Sequence, residues 1–492
     1  MMKKFLAALT TLLSILAFYE VVVNPLHGII KFIICAVLLF LCGMSLQKLL
    51  NLNGEKGLLI LSTERGKKSL DRIARWNPGF WRDIATFGMV MGFGASSAIL
   101  FKQIPKRTFN ISMLVLMLST LFVLPSVLPV AREIIQLPAT LYGVQAAVAS
   151  QPSVVGMLLY YGVFFSILIG GFSLSGVISF AGYGLIILYS ILMKLLSLAG
   201  SSAGNAGALN AITPGAMPII PGINLPFVEG VLSLAVLLFF HEVLHGILAR
   251  VEKIRVKNSG LVLFGFLPIG AFVEPDEKQL QKSDPEKQKN VLAAGSSANL
   301  IISMIFFVLF LIYYLTIFTS NPPPASFFKE YVMIYNTVPG YPAYGILKNG
   351  MIMEEWNGVQ IRSLDNFSKI SSLTKPDHNV TIKTDSGVFS IRADKNGKIG
   401  ISVLAFTNST ASGWIKEISS MPGNWWIGFF YNFIGLTFVL NFLVGSVNLL
   451  PIPPFDGYRI LALVIKSDKI LKVLAFLMFF FFFVNLLPWA WQ

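Results

Sequence analysis

An apolar stretch, Val231 to Phe240, runs without a break into His241-Glu242-Val243-Leu244-His245. Two imidazoles and a carboxylate are costly in hydrocarbon, so a chain that retains them there generally uses them. On a helix, His241 and His245 are four residues apart and share a face, so they can offer two nitrogens to one tetrahedral zinc. Glu242 then stands beside the metal position as a candidate general base. Chance matches to this pattern are mostly solvated helix turns, and this one lies in apolar sequence.

Composition supports a membrane setting. Of 492 residues, 55% are hydrophobic, 13% are charged and 41 are Phe, far more apolar than a soluble domain of this size. The chain reads as a polytopic α-helical membrane protein with the bilayer as its surroundings. A net charge of +14 would suggest nucleic acid in a soluble protein, but here Lys and Arg cluster in short loops between apolar runs. That is the positive-inside pattern, so the charge is read as topology and no nucleic-acid partner is expected. Cys35 and Cys42, seven apart on one helix face, read as small packing residues, with neither a disulfide nor a zinc role.

Nine spans are predicted: Phe5–Val23, Gly28–Leu46, Ile111–Val130, Val155–Phe172, Val177–Leu198, Phe227–Ala249, Val291–Phe318, Trp426–Leu450 and Leu471–Trp489. The first is read as a retained anchor, since no small-residue cleavage site follows it. The Gly-rich stretch Ile84–Leu100 is flanked on both sides by basic loops, which predicts a re-entrant or interfacial segment. Basic loops 47–83, 102–109, 250–257 and 275–289 then fall in the cytoplasm, whereas 133–153 and 199–227, without Lys or Arg, fall outside. The active site is predicted nearer the cytoplasmic face of a multi-pass cell-membrane protein. His27, in a turn between spans, and His378, in a polar loop, have no ligand-spaced neighbour and read as structural.

Residues 321–424 are soluble in character and are predicted to form a small β-rich insert on the extracytoplasmic side. Val380, Ile382 and Thr384 alternate with polar residues, Asp385-Ser386-Gly387 supplies a turn, and Val388 to Ile391 resumes the pattern, predicting a hairpin. Glycosylation sequons at Asn366, Asn379 and Asn408 fit an outward face.

A catalytic zinc takes three protein ligands and leaves one position open, so two histidines are not enough. The outstanding further candidate in apolar surroundings is Asp456, in Asn448-Leu449-Leu450-Pro451-Ile452-Pro453-Pro454-Phe455-Asp456-Gly457. The prolines break the preceding helix, tolerable at membrane depth where backbone is packed in protein or lines a wet cavity. Asp456 also falls at the depth of the histidines. Asn441 and Asn448, on one helix face, could bond substrate backbone or a developing oxyanion, or serve as interhelical packing. Asn299 carries the same two readings.

These residues resemble the site-2 protease family of intramembrane zinc metallopeptidases. His241 to Gly246 is similar to the family's HExxHG, Gly295 to Asn299 to its GxxxN, and Asn448 to Gly457 to its NxxPxPxxDG, in family order over roughly Phe227 to Ile465. The resemblance implies one zinc per chain on His241, His245 and Asp456, with Glu242 activating water. The family often carries an extracytoplasmic PDZ domain between its second and third motifs, and Tyr341 to Gly350 followed by Trp356-Asn357-Gly358 is similar to the PDZ pattern. Such a domain binds peptide ends or partner proteins. Residues 260–274 are, by the same similarity, a membrane-embedded strand hairpin whose edge pairs with unwound substrate. The GxxxN segment lacks the proline that often follows its glycine, and residues 1–200 match no part of the family.

The chain is thus divided into an N-terminal membrane region, 1–200, a first core part, 201–320, the insert, 321–424, and a second core part, 425–492. The expected activity is hydrolysis of peptide bonds within or near transmembrane helices of membrane-anchored substrates, as in regulated intramembrane proteolysis. Against it stand a non-proteolytic zinc scaffold or metal transporter, disfavoured by the near absence of ionisable residues in spans before Phe227, and a pseudoprotease, disfavoured by the intact Glu242.

Overall fold

A computed structural model describes residues 2–24, 28–63, 67–101, 104–135, 154–200, 214–216, 219–324, 330–407 and 411–488. His27, the triplet at Asn408 and most of loops 133–153 and 199–227 lie outside the described residues. Among the described residues nine helices are long and apolar enough to cross a membrane: Met2–Val23, Ile30–Leu50, Pro78–Leu100, Lys106–Ala131, Gly162–Leu195, Phe227–Val251, Pro285–Ser320, Trp425–Val447 and Asp468–Leu486. The chain is a polytopic helical membrane protein with a β-rich insert, and it divides into two compact units, 1–312 with 430–492, and 313–429.

The nine are not the nine of the sequence reading. Val155–Phe172 and Val177–Leu198 form one run, Val154–Gly200, broken only at Gly171, where φ is 64°. The Gly-rich stretch is helical from Pro78 to Phe93, and Gly94 then breaks it at φ 56°. The two breaks interlock: a Cβ on Gly171 would fall on the Gly92–Phe93 backbone, and one on Gly94 would meet the carbonyls of Ile167 and Leu168. Glycine at both positions tolerates the positive φ and the close approach. After the break the chain turns back, so that Thr108 Oγ1 donates to Asp83 Oδ1 at 2.7 Å.

The Gly-rich helix Pro78–Phe93 is built into the core. Ala85 is wholly buried with Leu248, Val291 and Ala294 of the motif helices. A Cβ on Gly88 would collide with Ser297, and one on Gly92 would touch Leu449 at 3.0 Å. Small residues allow this approach, which matters in a bilayer because packing, and not expulsion of water, holds helices together.

The first unit also contains an antiparallel sheet, β1 (Asn53–Glu55), β2 (Leu58–Thr63), β3 (Val256–Phe264) and β4 (Leu267–Pro275), in the order β1-β2-β3-β4. The expected hairpin is therefore present as β3 and β4, and the N-terminal region extends it. Strand β2 pairs along β3 from Leu58↔Phe264 to Thr63↔Ser259. Leu59, 1% exposed, anchors β2 on Ala7, Cys42 and Leu46 of the first two helices. Strand β4 is left with one edge that no described strand covers.

The second unit holds six antiparallel strands, β5 (Glu330–Thr337), β6 (Ile352–Trp356), β7 (Val359–Gln360), β8 (Asn379–Thr384), β9 (Gly387–Arg392) and β10 (Ile401–Thr407), in the order β10-β5-β6-β8-β9 with β7 on β6. The hairpin read from alternation is β8–β9, closed at Thr384↔Gly387, with Val380 and Ile382 fully buried. A helix, Leu364–Ser371, follows an N-cap in which Ser363 Oγ accepts from Asn366 N–H at 3.1 Å. Trp356, Val332 and Ile334 complete its core.

Candidate metal centre

The helix Phe227–Val251 carries His241 and His245 on one face, with ring centroids 4.9 Å apart. The helix Trp425–Val447 ends one residue before Asn448, and the proline-bearing turn leads to a short helix opening at Asp456. This turn folds back on itself: Gly457 N–H donates to Asn448 O at 2.8 Å, and a Cβ at 457 would overlap the Leu449 carbonyl. Asp456 is thereby delivered to the histidines. Its Oδ2 lies 3.3 Å from His245 Nε2 and 4.0 Å from His241 Nε2, and the three ligand atoms all fall within 4.8 Å of one another.

The three atoms suit one small cation. Zinc at about 2.0–2.2 Å from each of several tetrahedral ligands sets those ligands about 3.4 Å apart. The opposite ring nitrogens support the same use. His245 Nδ1 lies 2.8 Å from Val291 O, an acceptor only, so this nitrogen carries the proton and Nε2 keeps its lone pair. His241 Nδ1 lies 3.0 Å from the Asn299 side-chain amide, whose Oδ1 is buried and has no partner. Turning that amide over places Oδ1 on Nδ1–H, which satisfies the orphaned oxygen and frees His241 Nε2 as a ligand. A Cβ on Gly295 would fall on Nε2 of both histidines, so this glycine keeps open the space an ion would occupy.

The remaining groups are arranged around these three. Asn448 Nδ2 donates to Asp456 Oδ2 at 2.7 Å. Glu242 Oε2 accepts from the backbone N–H of Val273, on the uncovered edge of β4, at 2.8 Å. A cavity of about 310 Å³ opens here, lined by His241, Glu242, His245, Val273, Asn448 and Asp456, with Arg459 also on its wall. Arg459 pairs with Glu277 at 2.7 Å, bridging the turn after Asp456 to the connection after β4.

Every metal and base candidate read from the sequence therefore meets here, while the three asparagines separate. Asn299 touches His241 and Asn448 touches Asp456. Asn441 is wholly buried, gives its amide to Thr437 O at 2.8 Å and does not line the cavity. The contributions of Val273 N–H and Val291 O were missed, because backbone groups leave no trace in residue type. The space-keeping role of Gly295 had a trace, the small-residue run Gly295 to Ala298.

The pattern of Peptidase family M50 matches residues 229–483, about half of the chain. An uncharacterized protein of Methanocaldococcus jannaschii is 29% identical over 243 residues, covering 49% of this chain and 58% of that protein. The match spans a little over half the length of that relative.

Proposed function

The chain belongs to peptidase family M50, the site-2 protease family, and from that premise we propose that it is a zinc endopeptidase cutting transmembrane helices of membrane-anchored proteins. The observation that carries the reading is the convergence of His241, His245, Asp456 and Glu242 on one cavity reached from a membrane-crossing helix. A zinc ion bound there supplies Lewis acidity and makes water a stronger acid. His241, His245 and Asp456 would hold it, with Asn299, Val291 and Asn448 fixing their orientation. Glu242, anchored through one oxygen by Val273 N–H, takes a proton from water at the scissile carbonyl and returns it to the departing amine nitrogen.

A helical peptide bond is shielded by its own hydrogen bonds, so the substrate must unwind before cleavage. The uncovered edge of β4 is a suitable template for the freed strand, because Phe272, Val273 and Pro275 of β4 line the cavity beside Glu242. Sheet pairing with β2 on the far side leaves this edge as the free one of the β3–β4 pair. On the charge distribution the cavity faces the cytoplasm and the insert faces outward, where its PDZ-like pattern suits the binding of peptide ends or partner proteins and the screening of already trimmed substrates.

A metal transporter or inert zinc scaffold is the competing reading. Transport needs further ligand groups along a path, and among the described residues no second group of three His, Cys, Asp or Glu side chains comes together. The test is Glu242→Gln, assayed on a purified single-span substrate in bilayers. Retained zinc with cleavage lowered about 10²-fold or more supports the protease reading; cleavage equal to wild type removes Glu242 from the chemistry.

A further inference from the structure

The helix Lys67–Trp76 segregates its side chains. Lys68, Arg72 and Arg75 recur at one helical face and are all exposed, while Leu70 and Ala74 are buried on the opposite face. Between the two lie Ile73 and Trp76, 38% and 70% exposed. Trp76 joins Phe80 and Trp81 in an edge-to-face cluster with centroids 5.0–6.3 Å apart. The cluster is tied to the helix by Trp81 Nε1–H, which donates to Ile73 O at 2.9 Å. The helix's one acidic residue, Asp71, is engaged with Arg250.

The buried face rests on the HExxH helix. Leu70 packs where a Cβ on Gly246 would meet it at 3.1 Å, beside His245, and Asp71 holds Arg250 in the last turn. Arg82 pairs with Glu252 at 2.8 Å, just beyond that turn. The HExxH helix is long and apolar enough to cross the membrane, and these charges mark where its apolar part ends, which sets the helix Lys67–Trp76 at the level where hydrocarbon gives way to headgroups. A cationic face flanked by Trp and Ile at that level has the chemistry of an interfacial amphipathic helix.

We propose that the exposed face of Lys67–Trp76 is a docking surface for anionic phospholipid headgroups. Lys68, Arg72 and Arg75 take the phosphates, and Trp76 and Phe80 seat at the acyl boundary. Charge complementarity selects the occupant: three cations, beside which the one acidic residue Asp71 is already paired with Arg250, meet a negatively charged leaflet, and the aromatic flank excludes a fully hydrated partner. Through Leu70 on Gly246 and Asp71 on Arg250, lipid occupancy bears directly on the helix that carries both histidines. The binding does not depend on the protein being a protease.

The test is native mass spectrometry of the full-length protein after exchange into mixed phosphatidylglycerol and phosphatidylcholine. Wild type should retain phosphatidylglycerol preferentially, and the triple variant Lys68→Gln, Arg72→Gln, Arg75→Gln should lose that preference by roughly tenfold or more. The charge-keeping variant Arg72→Lys, Arg75→Lys should retain it, as should Lys278→Gln, Lys282→Gln, Lys287→Gln in another basic loop. Unchanged thermal melting establishes that the first variant is folded. Equal retention by the first variant and wild type, or equal loss in the second loop, overturns the proposal, as does displacement of the lipid by soluble glycerol phosphate. A spin label at Ser69 should report headgroup depth by collision with oxygen and with a nickel chelate; a fully aqueous signal would also overturn it.

Discussion

The side-chain amide of Asn299 sits 3.0 Å from Nδ1 of His241, on the side of the ring away from Asp456. A histidine can be a ligand through Nε2 only if its proton is held at Nδ1, and the carbonyl oxygen of a turned amide does that. The relationship ties a residue on the helix Pro285–Ser320 to the ligand chemistry of a helix that precedes it. It also separates Asn299 from Asn441, which is equally buried but spends its amide on its own helix.

Asn299→Leu should therefore weaken metal binding about 10–100-fold, the usual cost of removing a group that orients a ligand. Competition with a zinc chelator of known affinity measures this. An affinity equal to wild type would mean that His241 holds its tautomer unaided.

Gly295→Ala should abolish metal binding while leaving the fold intact. The added Cβ falls on Nε2 of both histidines, yet alanine favours a helix over glycine by about 1 kcal/mol. Zinc stoichiometry near zero with a melting temperature matching metal-free wild type is the expected pair of results, and full stoichiometry would show that the helices can move apart.

Val273→Pro removes the donor to Glu242 while sparing the ladder to β3, because that N–H points away from the sheet. A hydrogen bond to a charged group contributes about 1.5–3 kcal/mol, so kcat should fall about tenfold or more with zinc content unaltered. A change confined to KM would assign Val273 to substrate binding instead.

Removal of metal with a strong chelator should eliminate cleavage, and zinc should restore it where magnesium does not. The donor set of two imidazoles and one carboxylate suits zinc and lacks the oxygen cage magnesium needs. Restoration by magnesium would contradict the assignment of the centre.

Much of the centre was legible because its chemistry is local or confined by depth. HExxH places two nitrogens on one face by helical period alone, and few acidic groups in apolar sequence could join them. The sheet was half legible. Residues 260–274 were legible as a hairpin only through the family resemblance, and Leu58 to Ser62 resembles any short apolar segment. Nothing near it indicates that its partner is Val256–Phe264, some two hundred residues on. The Gly-rich helix posed the same difficulty: Gly88 and Gly92 announce a close approach, and their neighbours Ser297 and Leu449 come from other parts of the chain.

Residue type and period picked out most of the apolar helices and the histidine pair with its neighbouring glutamate, since each is dictated by a cost that a single segment bears alone: hydrocarbon around a charge, or an unpaired backbone group. Which amide steadies which ligand, which backbone N–H holds Glu242, and which strands flank the hairpin depended on the folded chain. Those choices are made by contact between distant segments, where packing distance and not composition selects the partner.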